Sequence, residues 1–270
     1  MIIDEMIIAF DQHKEKENVF KIGYIKEFLQ TYILRQIFEL PESKNLYFYG
    51  GTAVRFLLGL NRLSEDLDFV CRETVDFEKL GMHLKNYFAR EQLEVDYKIQ
   101  KFRLTLKFRG LLDHFQMQYD NSKDLHLKIE ISSHLSFCKH FETKLYQLFK
   151  FNQSLVLQSF DPSTLFSTKL NAVLYRHRER KIEDRVLTMK GRDTYDLFRY
   201  LSNGYKPNLN CIQDVSDIEE LKKKLIVVVE NTDFTAVVEG VKNFLEDRQL
   251  LSFLESNGRG YLMEQIEKMG

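Results

Sequence analysis

The chain has 270 residues, of which 44% are hydrophobic and 29% are charged, with only three prolines. This composition is that of a globular protein able to bury a sizeable core, and it excludes disordered, collagen-like and membrane-spanning classes. The formal net charge is −1, so binding to nucleic acid would require a local basic surface and not a field from the whole protein.

The N-terminus and the cysteines indicate the compartment. The opening segment MIIDEMIIAF carries Asp4 and Glu5 among its apolar residues, with no basic region before them, so it is not expected to be a signal peptide. No apolar run approaches the length of a membrane span. Cys71, Cys138 and Cys211 are odd in number and lack the spacing of a disulfide framework or zinc site. We therefore expect free, buried thiols in a cytoplasmic protein.

Helix and strand patterns alternate in the first part of the chain. Apolar residues at helical spacing predict a helix over residues 19–40, which Pro41 stops. The run LYFY at 46–49 predicts a buried strand, a short helix is expected from 53 to about 60, and DLDFV at 66–70 predicts the next strand.

Further strands are followed by a helical region. Alternating segments within residues 93–108 and the strict alternation of LHLKIEIS at 125–132 predict strands. Asp161 is the expected N-cap of a helix with Pro162 at its first position, and the sequence that follows is predicted to be helical. The predicted fold is α+β, with a mixed-sheet domain at 1–158, including N-terminal helices, and a helical domain at 159–270.

The stretch GGTAVRFLLGLNRLSEDLDF at residues 50–69 carries the most chemistry. On a strand, Asp66 and Asp68 share one face and repel each other unless a cation lies between them, which suits Mg²⁺. Gly50 and Gly51 allow backbone N–H groups at a strand-to-helix turn to approach a phosphate. A lone Gly-Gly is usually a turn and a lone Asp-x-Asp a solvated strand edge, but their combination favours a site for a metal-bridged triphosphate.

This stretch resembles the nucleotidyltransferase toxins of the AbiEii/AbiGii type, a branch of the polymerase-β-like nucleotidyltransferase superfamily. The resemblance covers residues 46–70 and 125–201. It implies a polymerase-β-like core that moves a nucleoside monophosphate from an NTP to an acceptor hydroxyl with the help of two Mg²⁺ ions. It also implies a cognate antitoxin and, as in some relatives, tRNA as the acceptor.

The resemblance also assigns residues to the metal and the phosphates. It places a third acidic ligand at Glu130, and the alternation of 125–132 independently puts Glu130 on the polar face of its strand. An Asp is commoner at that position in the family. Either Thr52 or Ser64 would supply a hydroxyl to phosphate. The predicted metal ligands are Asp66, Asp68 and Glu130, and the predicted nucleotide-binding residues are Gly50, Gly51, Thr52, Arg62, Ser64 and Lys169.

A second block of resemblance lies at residues 167–201. In the family a lysine here faces the triphosphate, which implies that role for Lys169. The segment RDTYDL implies that Asp193 aligns or deprotonates the attacking hydroxyl, whereas Tyr195 and Asp196 are expected to support the helix junction. The predicted catalytic residues are Asp66, Asp68, Lys169 and Asp193.

Basic residues concentrate between positions 169 and 192, where eight Lys or Arg accompany three Asp or Glu. The concentration predicts that the segment from Arg176 to Arg192, including Arg178, Arg180 and Arg185, binds an RNA acceptor. Two other functions stay open. One is a nucleotide-binding regulator without catalysis, and the other is a nucleotidyltransferase that modifies a protein or a small molecule.

Overall fold

The computed structural model describes residues 1–13, 15–133, 135, 138–175, 191–245 and 247–270. The helices formed by these residues are α1 (Ile2–Asp11), α2 (Asn18–Phe38), α3 (Gly50–Leu58), α4 (Phe77–Arg90), α5 (Pro162–Tyr175), α6 (Gly191–Ser202), α7 (Ile218–Glu230), α8 (Phe234–Val241) and α9 (Arg248–Glu267). The strands are β1 (Leu46–Tyr49), β2 (Leu67–Cys71), β3 (Val95–Gln100), β4 (Arg103–Phe108), β5 (Leu125–Ser132), β6 (Thr143–Lys150) and β7 (Gln153–Phe160).

Helix α2 is the long apolar element of the N-terminal region. Its residues Ile25, Leu29 and Ile33 are completely buried, and the helix ends three residues before Pro41, which confirms the predicted helix. Within the described ranges, no helix is long and apolar enough to cross a membrane.

The described strands form one mixed sheet of seven, in the order β3-β4-β5-β2-β1-β7-β6. Strand β2 is antiparallel to β1 and parallel to β5, and β1 is parallel to β7. Alternate residues such as Phe69, Leu127 and Leu155 are buried in the core that α2 also lines, because a strand directs successive side chains to opposite faces. The other face carries Asp68 on β2 and the four polar residues His126, Lys128, Glu130 and Ser132 on β5, as the alternation predicted.

The chain forms two compact units. The first unit comprises residues 1–59, 63–135 and 143–159, and the second comprises residues 60–62, 136–142 and 160–270. The first contains the sheet, and the second contains α5 to α9. Helix α5 starts as predicted, since the carboxylate of Asp161 accepts hydrogen bonds from the backbone N–H groups of Ser163 and Thr164.

The cysteines correct one expectation. A disulfide joins Cys138 to Cys211, so the prediction of free thiols is wrong for these two residues. They are 73 positions apart in the sequence, and neither belongs to a recognisable spacing motif, so only the fold brings them together. Cys71 is free and buried, as expected.

Candidate active site

Asp68 occupies the second position of β2 and has neighbours on both adjacent strands. Its register partners are Tyr49 of β1 and Glu130 of β5. Asp66 lies two residues earlier, immediately before the strand, and therefore shares a face with Asp68. The register thus brings Asp66, Asp68 and Glu130 to one region of the polar sheet face.

Gly50 adapts the backbone to this group of carboxylates. Its φ of +79° lies in the region that disfavours side chains, and a Cβ placed there would stand 2.8 Å from Cγ of Asp68. Glycine is therefore required for both conformation and space. The turn sets the N-terminus of α3, with the backbone N–H groups of Gly50 and Gly51, directly beside Asp68.

Asp66 lies in an environment that disfavours its charge. Partial burial raises the pKa of its carboxyl group, and the negative charges of Glu65 and Glu130 add to the rise. Lys128 opposes it, but the ammonium stands 3.9 Å from Oδ1 of Asp66, at the limit of an ion pair. A cation bound here would relieve this strain on the ionised form.

Glu130 already has a cationic partner in the structure. Arg103, its register partner on β4, places Nε at 2.7 Å and Nη2 at 2.6 Å from Oε1. Across the described part of the chain, no set of three or more His, Cys, Asp or Glu is arranged to hold a metal ion. Mg²⁺ is commonly held by one or two carboxylates together with substrate phosphates, so Asp66 and Asp68 fit it as a pair.

The two candidate hydroxyl groups differ in their surroundings. Thr52 is completely buried, and its hydroxyl donates a 2.5 Å hydrogen bond to the backbone carbonyl of Asp66. Ser64 is 7% exposed, and its backbone carbonyl accepts a hydrogen bond from Gln30. Thr52 therefore holds the chain at Asp66, which leaves Ser64 as the better candidate for a phosphate contact.

A second cluster of predicted residues lies in the second unit. Arg62 donates two hydrogen bonds to Asp196, from Nε to Oδ1 at 2.5 Å and from Nη2 to Oδ2 at 2.6 Å. The ammonium of Lys169 on α5 lies 2.8 Å from the same Oδ2. Asp193, one turn earlier on α6, is 4% exposed, and its charge helps to raise the pKa of Arg62.

Asp196 is therefore a buried carboxylate with two cationic partners. Burial by itself would raise its pKa, but the charges of Arg62 and Lys169 outweigh burial and lower it. The neighbouring Tyr195 is also buried, which raises the pKa of its hydroxyl to about 12. The surroundings of Asp196 agree with the predicted support of the helix junction.

The predicted site residues thus occur in two groups. The first unit holds Gly50, Gly51, Thr52, Ser64, Asp66, Asp68 and Glu130, and the second unit holds Arg62, Lys169 and Asp193. Arg178, Arg180 and Arg185 of the basic segment lie outside the described residues.

The family follows from a comparison with family models. The model described as "Nucleotidyl transferase AbiEii toxin, Type IV TA system" matches residues 32–247, most of the chain. The protein belongs to this family. It is therefore a nucleotidyltransferase and the toxin of a type IV toxin–antitoxin system, as the sequence resemblance implied.

Two solved structures are similar to this AbiEii-family chain. MenT4, a nucleotidyltransferase toxin from Mycobacterium tuberculosis H37Rv, matches with a TM-score of 0.54 at 12% identity, over 95% of this chain and 89% of its own. JHP933 from Helicobacter pylori matches with a TM-score of 0.50 at 17% identity, over 91% of this chain and 94% of its own. Such identities establish a shared fold, which confirms the predicted fold class. No curated protein sequence matches the chain.

Sequence reasoning missed several residues that contact the AbiEii-family motif, among them Arg103, Lys26 and Gln30. Arg103 pairs with Glu130, while Lys26 and Gln30 of α2 contact the loop that precedes β2. A signal for the last two existed, since they are polar residues four positions apart on a helix that is otherwise largely apolar and buried. Polar groups at such positions need partners, and these partners lie in the motif.

Proposed function

We propose that this AbiEii-family toxin transfers a nucleoside monophosphate from an NTP to a hydroxyl group of tRNA in a Mg²⁺-dependent reaction. The observation that carries the proposal is the placement of Asp66 and Asp68 on one sheet face, beside the glycine turn that opens α3. Carboxylates and backbone N–H groups then meet within one short stretch, which suits a metal-chelated triphosphate.

Asp66 and Asp68 would hold the metal, and Glu130 is proposed as a third ligand. Bound Mg²⁺ supplies positive charge to the attacking and leaving oxygens of the phosphoryl group. Glu130 lies next to Asp68 in register, and both contacts from Arg103 go to Oε1, so we propose Oε2 as the oxygen that binds the metal.

The phosphates would be bound by backbone and hydroxyl groups of the first unit. The N–H groups of Gly50 and Gly51 stand at the N-terminus of α3, where the helix dipole favours negative charge. The hydroxyl of Ser64 donates to a phosphate oxygen. Thr52 contributes by holding the carbonyl of Asp66, because its own hydroxyl proton is engaged there.

Residues of the second unit would act on the leaving group and on the acceptor. Lys169 offsets charge on the departing pyrophosphate, and its side chain is 12% exposed beside Asp196. Arg62 supports Lys169 by sharing the same carboxylate, which is how it contributes to nucleotide binding. Asp193 aligns or deprotonates the attacking hydroxyl.

The acceptor is proposed from charge and family. The segment from Arg176 to Arg192 is strongly basic in a nearly neutral chain, which suits the phosphates of RNA. The antitoxin of the same system is the expected regulatory partner, and the cytoplasm, where NTPs and tRNA occur together, is the expected compartment.

The test is transfer of label from NTPs radiolabelled in the α-phosphate. The protein is incubated with each NTP, Mg²⁺ and either total RNA, total protein or small metabolites, beside the Asp68→Asn variant. We expect label on the 3′ end of RNA of tRNA size and none with the variant. Label on protein or on a small molecule would show that the acceptor is that molecule and not tRNA. NTP binding without transfer to any acceptor would indicate a regulator.

The basic segment can be tested in the same assay. Replacing Arg178, Arg180 and Arg185 with Ala should raise the KM for RNA and flatten its dependence on salt, while leaving NTP binding nearly intact. RNA labelling equal to that of the parent protein at every salt concentration would exclude the segment as the acceptor site.

A further inference from the structure

The loop of residues 64–66, which leads into β2, is held by at least one polar contact on each of its residues. Nε2 of Gln30 donates to the carbonyl of Ser64 at 3.1 Å, Nζ of Lys26 pairs with Oε1 of Glu65 at 3.1 Å, and the hydroxyl of Thr52 donates to the carbonyl of Asp66 at 2.5 Å. Two of these contacts come from α2 and one from α3. A short loop fixed at three successive residues has little freedom to move.

We propose that Gln30 and Lys26 are positioning residues that fix the loop of residues 64–66, so that Asp66 and Ser64 are in place for the metal and phosphate. The effect on metal and phosphate binding rests on the proposed function, whereas the contacts that hold the loop do not depend on it. Both residues precede position 32, where the match to the family model begins. The motif of the family therefore gives no indication of them.

The burial of Gln30 argues against stability as the main reason for its presence. The residue is completely buried, and its Oε1 has no hydrogen-bond partner in the described structure. One neutral hydrogen bond stabilises a fold by less than a buried carbonyl without a partner destabilises it. An apolar side chain of similar size would therefore serve the core as well or better. What only the glutamine provides is the donor that holds Ser64.

Lys26 has a comparable setting on the same face of α2. Its side chain is 10% exposed, and its ammonium lies 5.6 Å from the centre of the Tyr119 ring as well as beside Glu65. A cation held by a carboxylate and an aromatic ring is fixed in direction. The Glu65 side chain is thereby anchored between the two residues whose position matters.

The decisive variant is Gln30→Met, which keeps the volume and removes the donor. The matched control is Gln36→Met, because Gln36 lies on the same helix, is 9% exposed and donates to Glu39, away from the loop. The readouts are thermal melting without metal, hydrogen exchange of the amides of residues 63–67, and the Mg²⁺ concentration for half-maximal transfer.

Gln30→Met should melt at or above the temperature of the parent, while its loop amides exchange faster by about tenfold through local opening. The Mg²⁺ requirement should rise by about tenfold, as when an outer-shell partner of a metal ligand is lost. Gln36→Met should change neither quantity. Lys26→Met should change both in the same direction and by less, and it provides the same test if Gln30→Met does not fold.

Unchanged hydrogen exchange of the loop amides in both Gln30→Met and Lys26→Met would overturn the proposal. So would a loss of melting temperature in Gln30→Met that accounts for the loss of activity, since Gln30 would then be a structural residue. If the parent protein labels no acceptor, the proposed function fails, while the exchange comparison still decides whether Gln30 and Lys26 fix the loop.

Discussion

Asp66 before β2 and Asp196 in α6 differ in how their negative charge is balanced. The Asp66 side chain is 38% exposed and has Lys128 at 3.9 Å, with Glu65 and Glu130 close enough to repel it. The Asp196 side chain is completely buried. It accepts the guanidinium of Arg62 at two oxygens and the ammonium of Lys169 at one of them.

The pKa shifts of the two carboxyl groups have opposite signs for this reason. Burial and like charges raise the pKa of Asp66, whereas two cations lower that of Asp196 in spite of its burial. The Asp66 carboxylate, which has Lys128 only at the limit of an ion pair and two other carboxylates nearby, is suited to an external cation. A carboxylate with two internal cations instead holds its own unit together. The two carboxylates are therefore distinguished by the charges around them, and only that of Asp66 leaves a role for an external cation.

The largest effect is expected on transfer activity when Asp68, a proposed metal ligand, is replaced. Asp68→Asn should lower transfer by at least about 1,000-fold, the scale on which removal of one member of a catalytic group acts. Thermal melting without metal reports whether the variant is folded. The control is Asp96→Asn on β3, where the carboxylate is paired with Lys85 and Arg109. Retained transfer in Asp68→Asn would exclude the metal site.

The next effect is on stability at the structural support. Asp196→Ala leaves the charges of Arg62 and Lys169 buried without their carboxylate, and breaking such a group costs about 3–5 kcal/mol. Urea denaturation should report that loss. Adding Lys169→Met to Asp196→Ala should recover part of it, since one of the two cations that Asp196 neutralised is then also removed. A cost below about 1 kcal/mol would show that the cluster resembles a surface ion pair.

Lys169→Met should act mainly on catalysis. Arg62 still pairs with Asp196 in this variant, and the methionine stem retains the packing of the lysine. We expect kcat/KM for the NTP to fall by about tenfold, which corresponds to about 1.4 kcal/mol of transition-state stabilisation. The measurement is steady-state kinetics at saturating Mg²⁺. Unchanged kinetics would show that Lys169, like Asp196, supports the structure and does not act in catalysis.

The smallest effect is the pH dependence of stability. Because the folded-state pKa of Asp66 is raised, the native state binds more protons above the unfolded value of about 3.9, so this group lowers stability as pH rises. The free energy of unfolding of Asp66→Asn should therefore exceed that of the metal-free parent by a margin that grows with pH. Solvent screening limits this margin to about 1 kcal/mol. The contribution of Asp196 to stability changes with pH in the opposite direction, because its folded-state pKa is lowered. This contribution is present above the pKa of the unfolded state and is lost as pH falls.

Local patterns predicted the fold where neighbouring residues determine it. The alternation in β5 placed Glu130 on the polar face, and the Asp-Pro pair located the start of α5. Strands β6 and β7 were missed because their connecting turn lacks the usual glycine. Phe151 and Asn152 take φ values of +46° and +58° there, in a conformation that the sequence does not signal.

Long-range contacts could not be predicted from the sequence. The partners of Arg62 and of Gln30 lie 134 and 34 positions away, and no periodic pattern connects them. The family resemblance placed Arg62 among the nucleotide-binding residues, but it gave no indication that Asp196 is the partner of its guanidinium. Such pairings depend on the packing of whole helices and become visible only with coordinates.

The separation of Arg62 from Asp196 also has a consequence for synthesis. A chain that grows at about 5–20 residues per second takes about 7 to 27 seconds to add the 134 residues between them. For most of that interval the nascent chain contains the stretch from Gly50 to Asp68 but lacks the carboxylate that pairs with Arg62. A chain that ends before Asp196 therefore lacks the group that neutralises Arg62, and the second unit can be completed only after Asp196 has been added.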